Sequence, residues 1–146
     1  MNDAPEEELA AALTELEAIG KSGKRRPGRW EARALLIPLG RLVLARGEAA
    51  LASEVARAKA AVEPCADAWA AAIREELSLS CAEHVQGTEE RYLTLPNFDW
   101  EYVLTARERL EARVVAARAL GEAPPEVLWA QVGEADARVK KHAPRG

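Results

Sequence analysis

Apolar residues recur at three- and four-residue intervals in block after block of this chain. That spacing gathers them on one face of a helix, whereas a half-buried strand needs strict alternation. No alternating run is longer than Tyr92–Leu95. The pattern therefore predicts an all-α fold, a single-domain bundle of four or five helices covering residues 1–146, with one irregular aromatic crossover segment.

The stripes divide the chain. Leu9, Leu13, Leu16 and Ile19 mark a first helix from about Pro5, with Glu6, Glu7 and Glu8 suited to the positive end of its dipole and Gly20 as its stop. Residues 21–28 hold two glycines, a proline and four basic side chains, which predicts a basic connector. Arg29–Arg46 is apolar nearly all round, through Leu35, Leu36, Ile37, Leu39, Leu42, Val43 and Leu44, and predicts a buried helix that bends or restarts at Pro38. Leu51, Val55, Ala58 and Val62 open a third stripe, which Ala66, Trp69, Ile73, Leu77 and Cys81 continue beyond Pro64. One kinked helix to about Val85, closed by Gly87, fits this best; two helices joined near Pro64 are the alternative.

The rhythm lapses over 88–99, the expected aromatic crossover. Asp99 or Asn97 is placed to cap the next helix, striped by Val103, Ala106, Leu110, Val114, Ala117 and Leu120 up to Gly121. Pro124 and Pro125 precede a last stripe of Leu128, Val132, Ala135 and Val139. Four of the seven aromatic residues are tryptophan, and these are expected to supply most of the aromatic core, with alanine allowing close helix approach. The tryptophans are unevenly spaced in unlike surroundings, so they mark no repeat.

Composition narrows the function classes. A net charge of −4 disfavours general polyanion binding, although the charge is distributed in blocks. Residues 1–20 are acidic, 21–33 basic and 63–90 acidic, so the basic block can pair with the acidic ones. Two cysteines make no disulfide framework. On one helix Cys65 and Cys81 would stand roughly 24 Å apart, which suits free thiols and a cytoplasmic setting. The N-terminus lacks the apolar segment of a signal peptide, and the run Ala34–Ala45 is too short to span a bilayer. Abundant alanine, with arginine well above lysine, points to a GC-rich bacterial source.

Chemical motifs are sparse. Gly20-Lys21-Ser22 and Gly23-Lys24 lack the upstream glycine and preceding strand of a phosphate loop. Cys81 and His84 share a helix face and are the one grouping of reactive side chains, but a structural zinc site needs four ligands, and Cys65 and His142 lie far off in sequence. No serine stands in a nucleophile elbow. No metal, cofactor or catalytic residue is expected, and enzymatic activity is not the favoured reading.

The expected function is a non-enzymatic protein-interaction or regulatory module binding another protein or itself. Its expected contact residues are Tyr92, Phe98, Trp100 and Tyr102, which crowd where the helical pattern lapses. The alternative is a nucleic-acid accessory protein contacting phosphate through Lys24, Arg25, Arg26 and Arg29. The third reading is a small metal binder or enzyme centred on Cys81 and His84.

Overall fold

The computed structural model describes residues 4–94 and 100–140, with the side chains of 91–94 and 100–104 excepted. The fold is all-α, with no strand among the described residues. Among the described residues six α-helices follow in order: α1 (Ala4–Ser22), α2 (Arg29–Arg46), α3 (Ala52–Val62), α4 (Ala66–Thr94), α5 (Trp100–Ala119) and α6 (Glu126–Lys140). A 3-10 turn over Glu63–Cys65 joins α3 to α4, and the backbone stays in the right-handed helical region on both sides of it. The chain therefore stays helical from α3 into α4, as two helices with a short 3-10 joint at Pro64. Proline at the turn removes a backbone donor, and the tighter turn absorbs the loss.

α2 is the central helix and packs against α1, α4 and α5. Its inner face, Ala32, Leu35, Leu36 and Leu39, is fully buried. Leu13 and Leu16 of α1, Ile73 and Leu77 of α4, and Leu110 and Val114 of α5 fill the space around it. α6 lies on α4 through Val132, Ala135 and Val139. Gly40 sets the α2–α5 distance: a Cβ there would overlap the main-chain carbonyl of Ala112 and stand 2.8 Å from its Cα. α5 ends in a Schellman arrangement, with Gly121 at φ 90° and Glu122 N–H donating to the Ala117 carbonyl at 2.9 Å. Charge also ties helices together, as in the two-pronged pair of Arg57 on α3 with Glu17 on α1, at 3.0 and 2.6 Å. That hydrogen bonding holds the Glu17 carboxyl below its usual range.

Several expectations are corrected. Gly20 does not end α1, which runs to Ser22. The glycine instead lets α1 approach α3, because a Cβ there would overlap the Ala61 carbonyl. α2 does not restart at Pro38 but passes through it as one helix. It is also not buried all round, since Leu44 is 51% exposed. α4 continues through Gly87 to Thr94, so residues 88–94 of the expected crossover are helical, and 95–99 lie outside the described residues. A glycine inside a helix costs only about 1 kcal/mol relative to alanine. Burial of Thr88 one turn beyond His84 shows packing that carries the helix past it. The tryptophans do not share one role: Trp69 is buried, Trp129 half-buried and Trp30 exposed.

Candidate functional site

Two features go beyond packing. The first is a file of polar residues along α4. Glu76, Ser80, His84 and Thr88 are spaced one turn apart and all are buried. Buried polar groups require partners, and neighbouring helices supply them to Glu76 and His84. Ser80 Oγ donates to Glu76 Oε1 at 2.8 Å, and Arg29 Nε of α2 donates to Glu76 Oε2 at 2.8 Å. Arg29 also donates to Glu83 at 3.1 Å. The Glu76 hydrogen bond is the main influence raising the Arg29 guanidinium above its usual pKa. Arg113 of α5 brings its Nε to 3.6 Å from Glu76 Oε1, an ion pair too long for a hydrogen bond. Burial first, then the like charge of Arg33, pushes the Arg113 guanidinium down; Glu76 and Glu83 push it up, and Arg109 down again.

One turn further, His84 Nε2 lies 2.8 Å from Asp136 Oδ1 on α6. Asp136 Oδ2 accepts from Arg107 of α5 at 2.8 Å, and that guanidinium lies over the Trp129 ring at 4.7 Å. The file therefore pins α2, α4, α5 and α6 to one another.

Cys81, His84 and Asp136 superficially suggest a nucleophile, base and orienter. Burial argues otherwise: Cys81 is 0% exposed, and its desolvation pushes the thiol pKa up, only partly offset by Arg107. A thiol so placed is a poor nucleophile. Among the described residues, no three His, Cys, Asp or Glu side chains are grouped to hold a metal ion. In the native protein, Ellman's reagent is expected to label Cys65, which is half-buried, and to reach Cys81 only after denaturant is added. Prompt labelling of both thiols would show that the α4 file opens to solvent.

The second feature is a groove between α1 and α2, about 680 Å³ in volume. Ala11, Ala12, Ala34, Ile37 and Pro38 form its apolar lining, and Glu8, Glu15, Glu31, Arg25 and Arg33 its charged rim. Trp30 stands on its wall and is 68% exposed. Helical periodicity explains this exposure. With Leu35 and Leu39 turned into the core, Trp30, Ile37 and Leu44, seven residues apart, fall on the opposite face.

The residues expected from sequence to form sites are scattered. Cys81 and His84 both belong to the buried interior. In the connector, Arg25 pairs with Glu15 and Glu31, while Arg29 pairs with Glu76 and Glu83. Thus Arg29 meets the acidic 63–90 block, whereas Arg25 meets carboxylates on α1 and α2. Lys24 and Arg26 are exposed, and Arg26 lines a second cleft of about 390 Å³ that also holds Glu63 and Asp67. Phe98 and the side chains of Tyr92, Trp100 and Tyr102 lie outside the described residues. Sequence reasoning missed the Glu76 network and the role of Trp30. The polar four-residue repeat beside an apolar one, and the Trp30–Ile37–Leu44 spacing, were the available signals.

Comparison with known proteins gives no match: no family model fits the chain, and no curated protein or solved structure is similar to it. No helix among the described residues is long and apolar enough to cross a membrane.

Proposed function

We propose that this chain is a non-enzymatic helical interaction module whose docking surface is the α1–α2 groove. One observation carries the reading: a tryptophan 68% exposed beside an alanine-lined cleft. Exposing an indole forfeits hydrophobic stabilisation that burial would supply. A groove with an apolar floor and a charged rim is also the usual setting for an amphipathic helix laid between two others. The buried face of α4 supports the reading indirectly, because Cys81 and His84, the one grouping of reactive side chains in the sequence, are enclosed in the scaffold.

The nucleic-acid alternative is weakened, since Arg25 and Arg29 already carry ion pairs. The cleft beside Arg26 includes two acidic residues.

The reading is tested by capture from the source cells. Wild type and Trp30→Ala are used as baits, and the affinity for any recovered protein is then measured. Loss of an interface anchor costs about 2 kcal/mol or more, so binding should weaken at least about thirtyfold. The melting temperature should scarcely change, because the ring is already in solvent. If Trp30→Ala leaves every association intact, the groove is not the docking surface.

A further inference from the structure

We propose that the groove is filled by the same surface of a second copy, with the two α2 helices parallel about a two-fold axis that runs along them. This rests on the docking reading above and adds the identity of the partner and its orientation.

A projecting tryptophan and a groove lie side by side on one face. A two-fold axis placed between them seats each Trp30 in the other copy's groove, which is the self-complementarity an isologous dimer requires. The flanks of that face then select the direction. On the α1 side lie Glu8 and Glu15. On the other side α2 turns toward α5, where Gly40 meets Ala112, and Arg33, seven residues before Gly40, falls on that flank at the groove's edge. Glu8 and Arg33 are free of ion pairs within the described chain. The Glu15–Arg25 pair is long, at 3.4 Å, and each partner is 58% exposed, so Glu15 is available to a second cation.

Symmetry decides which flanks meet. A two-fold axis perpendicular to the helices makes them antiparallel and keeps each flank on its own side, setting carboxylates against carboxylates and Arg33 against arginine. An axis along the helices exchanges the flanks, so each Arg33 faces the other copy's α1 carboxylates. Heights along the helices agree with this. The Arg25–Glu15 pair lies at the start of α2 and the Arg46–Glu6 pair at its end, so α1 runs antiparallel to α2. Glu15 and Glu8 therefore bracket the level of Arg33. Parallel pairing also brings Trp30, Ile37 and Leu44 of both copies to matching levels.

The test is sedimentation equilibrium on the full chain over a wide concentration range, with melting curves to confirm folding. Wild type should dimerise and Trp30→Asp should be monomeric. Glu15→Lys and Arg33→Glu should each weaken the dimer by about tenfold, because each sets like charges together. The double variant should recover, because the pairs are restored with reversed sign. A wild type that is monomeric throughout overturns the second-copy proposal. If Trp30-dependent capture of another protein persists, the docking reading survives without it. A dimer lost in Trp30→Asp but indifferent to both charge reversals overturns the parallel arrangement alone. A dimer indifferent to Trp30→Asp overturns the second copy as occupant of the groove. If captured proteins are equally indifferent to that substitution, the docking reading falls with it.

Discussion

Replacing Glu76 by alanine is expected to destabilise the protein by about 3 kcal/mol, although the residue lines neither the α1–α2 groove nor the cleft beside Arg26. Its side chain is fully buried, and it is the anion for two cations on different helices. Without it, Arg113, whose side chain is only 11% exposed, loses its ion-pair partner, and Arg29 loses its shortest bond. Removing one member of a buried ion pair leaves the other's desolvation uncompensated, which is why the cost exceeds that of the interaction itself. For a chain of 146 residues, this corresponds to a drop in melting temperature of about 10 °C. Glu76→Gln should cost less than half as much, because the amide oxygen still accepts from Arg29 while the volume is kept. Chemical denaturation of the three proteins measures both differences. If Glu76→Ala costs less than about 1 kcal/mol, water reaches the arginines and the file does not pin the helices.

Gly40→Ala is expected to cost about 2 kcal/mol, against the usual preference of helices for alanine. The new methyl would overlap the Ala112 carbonyl, and a main-chain group in the middle of α5 cannot rotate away as a side-chain tip can. α2 and α5 must separate, which loosens the core that Leu36, Leu110 and Val114 share. Overpacking of this kind costs about 1–3 kcal/mol or more and outweighs a propensity gain of about 1 kcal/mol. Gly133→Ala on α6 is the control. It lies on an exposed helix face with nothing within 4 Å of the added atom, so it should stabilise the protein by up to about 1 kcal/mol. Opposite signs for the two substitutions, read from melting curves, are the expected result. Two gains would mean that the helices do not approach closely at Gly40.

The sequence by itself determined the elements and most of the core, because helix faces are local. Leu35, Leu39, Leu42, Trp69, Ile73, Leu110 and Val114 are expected inside from their spacing, and all are buried, while Val55 is half-buried. The same local reasoning failed where residues serve a neighbouring helix. Gly20 and Gly87 read as stops because glycine weakens helices, yet tertiary packing carries α1 and α4 through them. Trp30 and Leu44 read as core because they are apolar, yet they occupy the one side of α2 that no described helix covers. Nothing in the sequence marks Glu76 out, because nothing within a few residues reveals that Arg29, 47 positions away, and Arg113 converge on it. Periodicity states which side chains share a face. Only the packing of helices against one another decides what that face meets, and therefore which charges are buried and which indole remains in water.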